Sequence, residues 1–312
     1  MSSVLRGPMA VVAAAGIAIS AIGAAISRSP ESLGVWTGQG WETWWRREAF
    51  PRNWNGRATL AHHVTWRQGA RGLDWGELEL RGGSEAWRTR LIVVRVDPGV
   101  MDLSLEAAFT RSRGWTIADA DSTVALALDA GQFRHSLPWG WVVSKGEELL
   151  QPEYAPLAGA VVVDSSGALR IVAPYDVAAE RERGAAREAF QSYPMLLQGG
   201  IVPTELMEPG NGVDLEHRDA RLALGTLGDG KLIIALTRFD ALGASLGRVP
   251  LGLTTPEMAA IMGGLGCGDA LLLDGGISSQ LMLRTASQAR RSWAGTRSVP
   301  LGLIGRSKLV RP

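Results

Sequence analysis

The sequence predicts a mixed α/β (α+β) fold, with a largely antiparallel sheet and a few covering helices. Three observations lead to this prediction. Apolar, β-branched runs of strand length recur along the chain, turn signals such as Asp229-Gly230 join neighbouring runs into hairpins, and one well-capped helix stands near the C-terminal end. With 312 residues, 46% hydrophobic and 20% charged, the chain can bury a large core in one main domain.

Residues 1–27 predict a secretory signal or a membrane anchor. Arg6 precedes an Ala-rich apolar run over 9–26, and small residues follow it, as in a signal peptide. The run is near the lower length limit for a membrane span, and its composition is only weakly hydrophobic. We therefore predict an exported protein, periplasmic or secreted, with an uncleaved anchor in the membrane as the alternative.

Residues 28–80 form a Trp-rich extension. The stretch "VWTGQGWETWWRREAFPRNWNG" (35–56) alone contains five tryptophans. Tryptophan can dock at a membrane interface or stack on a sugar ring, but burial is its commoner use. We favour the interpretation that these side chains cover an edge of the main domain, and the other two stay open.

The main domain is expected over 81–312 and begins with strands. The run "LIVVRVD" (91–97) ends in an Asp-Pro-Gly turn, and further strands are predicted at 122–128 and 139–144. Two hairpins follow, one over 160–174 and one over 220–237. Between them, the charged, Ala-rich segment "VAAERERGAAREAF" (177–190) predicts a surface helix.

The clearest element boundary lies between 254 and 276. Thr254 and Glu257 have the spacing of a capping box, and apolar residues then follow the period of one helical face. Residues 270–273 form a short apolar strand. Asp274-Gly275-Gly276 therefore stands at the end of a buried strand, which is a common place for a ligand site.

Charge and cysteine content exclude several classes of protein. The 32 basic residues nearly balance the 31 acidic residues, which argues against a dedicated nucleic-acid binder. The single cysteine, Cys267, excludes an intrachain disulfide framework and a Cys-rich metal site. No His, Asp and Glu spacing predicts a metal, so we expect no cofactor, and a divalent ion bridging Asp274 to a phosphate stays open.

Four stretches, in their order and spacing, resemble the phosphodiester glycosidase family. The likeness covers roughly residues 90 to 306 and includes the closing "RSVPLGLIG". It implies a secreted or lumenal hydrolase acting on the bond between the anomeric carbon of a sugar and phosphate. The four stretches are "ALDAGQF" (127–133), "QSYPMLL" (191–197), "RDARLALGTLGDGKL" (218–232) and "ALLLDGGISSQL" (270–281).

An anionic phosphodiester requires cationic or amide donors. Arg221 matches the arginine that opens the family's third motif, and a guanidinium can bind two phosphate oxygens at once. Its alternative is a surface salt bridge. Gly275 and Gly276 would let backbone amides approach the phosphate, and Ser278 and Ser279 would either donate hydroxyl hydrogen bonds to it or cap the local turn.

Two carboxylates are candidates for the chemistry. Asp274 matches the family's acid position, and its alternative is a turn cap. Asp129 stands where the family usually has Asn, and its charge beside a phosphate is unfavourable unless it is protonated or pairs with Arg221 or Arg134. It could instead supply a second carboxylate for a different substrate. Ile277 also departs from the family, which commonly has a third glycine there.

The remaining candidates would bind the sugar. Gln191 and Tyr193 match the family's second motif, so Gln191 is expected to bind a sugar hydroxyl and Tyr193 to pack on the ring. Gly131 belongs to the turn of the first motif. For Gln191 and Tyr193, a satisfied loop amide and a packed aromatic ring are equally good interpretations.

The sequence thus supports two hypotheses from different classes. The first is an exported hydrolase that removes a sugar from a sugar-1-phosphodiester in an envelope or extracellular glycan. The second is a catalytically silent envelope protein that binds phosphorylated glycans or assists polysaccharide export. The first expects Asp129, Arg221 and Asp274 to meet in one pocket, and Arg221→Ala to abolish most turnover while folding stays intact.

Overall fold

The structure is a computed structural model that describes residues 32–82, 88–210, 212–239 and 252–308. The predicted signal or anchor lies outside these residues. The two described α-helices are α1 (Val177–Arg183) and α2 (Thr255–Gly264). The described strands are β1 (Ser32–Trp36), β2 (Trp41–Arg46), β3 (Arg67–Gln68), β4 (Leu73–Arg81), β5 (Arg88–Val96), β6 (Met101–Ala107), β7 (Leu126–Asp129), β8 (Phe133–Arg134), β9 (Leu137–Pro138), β10 (Val142–Ser144), β11 (Glu147–Leu150), β12 (Gly159–Asp164), β13 (Leu169–Val172), β14 (Ala186–Ser192), β15 (Met195–Leu197), β16 (Leu222–Leu227), β17 (Leu232–Phe239), β18 (Cys267–Leu272), β19 (Leu281–Arg284), β20 (Arg290–Trp293) and β21 (Leu301–Ser307).

The largest described sheet has nine strands, in the order β15-β18-β16-β17-β5-β4-β1-β2, with β3 paired to β4. Each described pair is antiparallel, and β5 pairs with β17 over eight residues and with β4 over nine. The β17 strand is buried along its whole length, as expected for an interior strand that is covered on both faces.

Two five-stranded sheets pack with the large one. Their orders are β11-β10-β14-β12-β13 and β20-β19-β7-β21-β6. One buried apolar cluster takes residues from all three sheets, including Val94, Leu128, Phe190 and Leu271. The predicted fold class is confirmed, because the sheets are antiparallel, the helices are few, and the sheets share one core.

Helix α2 has the cap that the sequence predicts. The Thr254 hydroxyl accepts a hydrogen bond from the Glu257 amide, and the Glu257 carboxylate accepts one from the Thr254 amide at 2.9 Å. Glu257 also binds the buried Arg218 guanidinium at 2.8 Å, so the cap is tied to the chain that precedes β16. The helix covers one face of the nine-stranded sheet.

The helix predicted over 177–190 is wrong in its second half. Helix α1 ends at Arg183, because Gly184 takes a left-handed conformation with φ of 63°. Residues from Ala186 onward form β14, which pairs with both β10 and β12. Ladder hydrogen bonds on both sides and burial of Phe190 override the helical propensity of the Ala-rich segment.

The Trp-rich extension contributes strands to the core of the protein. Strands β1 to β4 belong to the nine-stranded sheet, and the expected boundary between 80 and 81 falls within β4. Trp45, Trp54 and Trp75 are buried, whereas Trp36 is 39% exposed. In the described parts of the chain, no helix combines the length and apolar character that crossing a bilayer requires.

Candidate active site

The four motifs meet where the chain leaves β18 and crosses to β19. The end of β18 lies beside the start of β16, and the end of β7 lies beside the start of β19, because both pairs are antiparallel. The Asp274 amide donates to the Gly131 carbonyl at 3.0 Å, and the Gly276 amide donates to the Ala220 carbonyl at 2.8 Å. The Ser192 hydroxyl donates to the Leu272 carbonyl. Asp274 therefore stands at the junction of all three sheets.

Asp274 has a raised pKa and is the candidate acid or base at this junction. Burial raises the pKa of its carboxyl to about 6, and the Ser278 hydroxyl, the Arg297 charge and the Gly275 amide oppose that rise. The side chain is still partly exposed. A carboxyl with a pKa near neutrality that reaches solvent can both accept and release a proton, as a catalytic acid or base must.

Asp129 interacts electrostatically with Asp274 but is buried away from solvent. It is 1% exposed, one carboxyl oxygen accepts the Gln280 amide at 2.8 Å, and the other has no partner among the described residues. Burial first, and then the Asp274 charge, raise the pKa of Asp129 well above its usual range. Burial therefore favours the protonated form of this carboxyl, which corresponds to the protonated alternative.

The expected pairing of Asp129 with Arg221 or Arg134 is not found. The positive charge that acts on Asp129 belongs to Arg238 of β17, which the sequence reasoning missed. Arg238 is buried, donates to the Ser279 hydroxyl at 2.6 Å, and has its pKa lowered to about 10, mainly by burial. Arg134 forms its ion pair with Glu153 instead, at 3.8 Å.

Arg221 is buried and binds backbone carbonyls. Its Nε donates to the Leu253 carbonyl at 2.9 Å and its Nη2 to the His217 carbonyl at 2.6 Å. It is 9% exposed, and burial lowers its pKa. These contacts match neither the predicted phosphate clamp nor a surface salt bridge. In this conformation Arg221 holds two loops together and its charge interacts with that of Asp219, whereas Asp129 interacts with Asp274.

Asp219 is a second acid at the junction that the sequence reasoning missed. Its Oδ2 lies 2.8 Å from the position that a Cβ on Gly276 would occupy, and the His217 Nε2 lies 3.6 Å from it. Burial raises the pKa of Asp219, and its charge raises that of Asp274. The sequence "RDAR" (218–221) could have indicated this residue. Asp219 and Arg221 are two residues apart, and side chains two apart on an extended chain lie on the same face.

Arg297 is the exposed cation of the site. Its charge lowers the pKa of Asp274, its guanidinium lies 4.7 Å from the centre of the Phe133 ring, and Nη2 donates to the His135 carbonyl at 3.3 Å. It is the first residue of "RSVPLGLIG", the closing stretch of the family resemblance, which does not by itself indicate a role for this arginine. An exposed guanidinium beside Asp274 is better placed for an incoming anion than the buried Arg221.

The glycines of the loop allow close backbone packing. A Cβ on Gly275 would lie 2.5 Å from the Ala220 carbonyl, and Gly276 has φ of 61°. The Gly275 amide binds the Asp274 carboxylate and the Gly276 amide binds Ala220, so neither predicted amide donor is free in this conformation. Between the glycines and the serines, Ile277 is 45% exposed.

The contacts of Ser278 and Ser279 correspond to the alternative in which the serines cap the local turn. Ser278 hydrogen-bonds to Asp274, and the Ser279 hydroxyl donates to the Gly276 carbonyl at 3.0 Å while accepting from Arg238. Both side chains are buried. Their hydroxyls orient the carboxylate and the loop, and a substrate would reach them only after the loop moves.

Gln191 has the contacts of a satisfied structural amide. Its Oε1 accepts from the Trp141 amide at 2.7 Å and the Glu153 amide at 3.0 Å, and its Nε2 donates to the Glu153 carbonyl. The Tyr193 hydroxyl donates to the Gly212 carbonyl at 3.3 Å, and its ring is partly buried. Gly131, with φ of 68°, presents its carbonyl to Asp274.

One cavity, of about 420 Å³, lies away from this junction and is lined by residues including Gly72, Arg95 and Lys231, at the opposite end of β16 and β17. Its cations are already bound within the protein, Arg95 by Asp74, Lys231 by Asp229 and Arg71 by the Lys308 carbonyl at 3.0 Å. Among the described residues, no group of three or more His, Cys, Asp or Glu side chains is arranged to hold a metal ion.

Comparison with known proteins identifies the family of the chain. The sequence model of the phosphodiester glycosidase family matches residues 120–304. The catalytic domain of zebrafish N-acetylglucosamine-1-phosphodiester alpha-N-acetylglucosaminidase, auto-inhibited by its pro-peptide, is similar in fold, with a TM-score of 0.57 and 16% identity over 84% of this chain and 92% of that one. A hypothetical protein from Synechocystis gives a TM-score of 0.48 and 16% identity, over 76% of this chain and 62% of that one. No curated protein sequence matches the chain. With more than half of its length matched by the family model, the chain belongs to the phosphodiester glycosidase family.

Proposed function

We propose that the protein is an exported hydrolase that cleaves the bond between sugar and phosphate in a sugar-1-phosphodiester of an envelope or extracellular glycan. Membership of the family supports the reaction class. The observation that carries the proposal is Asp274, a partly exposed carboxyl with a pKa near 6 beside the exposed Arg297. The signal-like sequence at 9–26 supports export.

In this proposal Arg297 binds the anionic phosphodiester, and Asp274 acts as a base on water. Water adds to the anomeric carbon and its proton passes to Asp274, while the bond from carbon to the bridging oxygen breaks and its electron pair stays on the phosphate. The products are a free sugar and a phosphomonoester. A phosphate leaves well as an anion, so the demand for a general acid is small.

Asp219 is the second carboxylate in the proposal. It lies beside Gly276, in the loop that Asp274 begins. There it can stabilise the positive charge that develops on the sugar ring, or receive the proton that Asp274 takes up. The buried Asp129 accepts the Gln280 amide and so fixes the start of β19, without touching the substrate. Arg238 completes that support through Ser279.

The test is an activity panel on purified protein with sugar-1-phosphodiesters that differ in sugar and aglycone, with release of free sugar as the readout. Asp274→Asn should abolish turnover. Arg297→Gln should mainly raise KM for charged substrates, because it removes the exposed cation. Asp229→Asn, in a turn at the far end of β16, is the matched control and should keep full activity. Full activity in Asp274→Asn would refute the assignment.

One observation favours the alternative hypothesis, in which the protein binds phosphorylated glycans without cleaving them. The amide of Gly276 and the side chain of Gln191, both expected to face the substrate, are occupied within the protein. A silent protein that binds phosphorylated glycans would need fewer free donors. Saturable binding of the panel with no released sugar, at every pH from 4 to 8, would favour this alternative over the hydrolase.

A further inference from the structure

A second pocket lies in the Trp-rich extension, away from Asp274. Its volume is about 300 Å³, the lower end of the range of roughly 300–1,000 Å³ that is typical of small-molecule sites. Trp44 and Trp54 stack in it, with ring centres 6.1 Å apart and planes at 29°. Strand β18 runs between this end of the sheet and Asp274, which separates the two places by roughly 20 Å.

The aromatic walls of the pocket are held rigidly. A Cβ on Gly263 would lie 2.2 Å from the Trp54 ring, and one on Gly264 would lie 2.4 Å from the Trp44 ring, so both indoles rest directly on the end of α2. The Trp44 indole nitrogen donates to the Thr59 hydroxyl at 3.0 Å. Such fixed aromatic surface lowers the entropy lost when a ligand binds.

Two cations line the same pocket and are not used by the fold. Arg46 and Arg57 are exposed, and neither side chain has a hydrogen bond, an ion pair or a ring contact with any described residue. By contrast, Arg47, also exposed, is bound by Glu216 at 2.7 Å. Two unpaired guanidinium groups beside an aromatic wall provide both charge and stacking surface for one anionic ligand.

We propose that this pocket is an accessory site for an anionic saccharide, a sugar unit that carries a phosphate or a carboxylate. The apolar face of the sugar packs on the indole of Trp44, and Arg46 and Arg57 bind the acidic group. A membrane surface fits less well, because interfacial tryptophans project into the bilayer, whereas Trp54 is recessed and only 5% exposed. The site is independent of the proposed hydrolysis and would hold an acidic glycan chain near the protein.

The test follows the indole N–H signals of the full chain, labelled with ¹⁵N-tryptophan, during titration with glucose 6-phosphate, glucuronic acid, glucose or inorganic phosphate. The Trp44 signal is identified by its loss in Trp44→Phe. We expect saturable shifts with a Kd on the order of millimolar for glucose 6-phosphate, glucuronic acid or both, and which of them binds identifies the acidic group.

The double variant Arg46→Gln/Arg57→Gln should weaken that binding by roughly tenfold or more, since two charge-assisted contacts are lost. Arg52→Gln, a nearby exposed arginine that does not line the pocket, is the matched control and should bind normally. Hydrolysis of a small phosphodiester should be unchanged in the double variant, and binding should persist in Asp274→Asn.

Three results would overturn the proposal. Equal binding of glucose, or of inorganic phosphate alone, would remove the anionic sugar as the ligand. Unchanged affinity in the double arginine variant would remove the two cations from the site. A response of the Trp44 signal only to phosphatidylglycerol vesicles would identify the surface as a membrane contact instead.

Discussion

Replacing Asp274 by Asn should make the protein more stable at neutral pH while it abolishes activity. Burial raises the pKa of this carboxyl from 3.8 to about 6, so the folded state disfavours its charge. At about 1.4 kcal/mol for each tenfold change in an equilibrium constant, this rise corresponds to about 3 kcal/mol. The penalty is absent below pH 3.8, grows as pH rises toward 6, and is fully present above it. Asn keeps an oxygen that can accept from Ser278 and the Gly275 amide.

The assay is urea unfolding of wild-type and Asp274→Asn protein at each pH from 4 to 8. The difference in unfolding free energy should be near zero at pH 4 and approach about 3 kcal/mol in favour of the variant at pH 8. Asp229→Asn is a control of opposite sign whose effect should stay constant from pH 4 to 8, because hydrogen bonds from Lys231 lower the pKa of that carboxyl and its stabilisation is lost only below pH 3.8. An Asp274→Asn difference that does not change with pH would refute the reasoning.

Three further substitutions test the support of the site. Gly276→Ala should cost about 1–2 kcal/mol from its left-handed backbone alone, more because its Cβ would press on Asp219, and thermal unfolding should show it. Gln191→Leu leaves three backbone partners unpaired, so urea unfolding should show a loss of at least about 3 kcal/mol, whereas a stable variant with altered KM would return Gln191 to the substrate. Glu257→Ala removes the carboxylate that pairs with the buried Arg218, so urea unfolding should show a loss of about 3–5 kcal/mol in the free energy of unfolding.

The structure also changes one expectation about Arg221. Because its guanidinium binds the His217 and Leu253 carbonyls while buried, Arg221→Ala should lose stability as well as activity. A melting temperature equal to that of the wild type, with turnover lost, would restore the original prediction that Arg221 acts on the substrate. Circular dichroism melting before each activity measurement separates the two outcomes.

The sequence predicted the fold class and the meeting of the four motifs better than it predicted the contacts of each side chain. Strand–turn chemistry and the capping box of α2 depend on neighbouring residues, so they could be read locally. The strand β14 could not, because its pairing with β10 and β12 is made by residues distant in sequence. For the same reason the sequence could not reveal that the charge of Arg238 acts on Asp129, or that Arg221 binds backbone carbonyls.

Two backbone amides of the loop that carries Asp274 donate hydrogen bonds to different parts of the fold. The Asp274 amide binds the turn after β7, and the Gly276 amide binds the chain before β16. The Asp274 amide can exchange its hydrogen with solvent only when the contact between the β18 and β7 sheets opens, whereas the Gly276 amide is released when the loop parts from the chain before β16. Their deuterium exchange rates therefore report two different openings, and matching rates would mean that both contacts are lost in one cooperative event, together with the site.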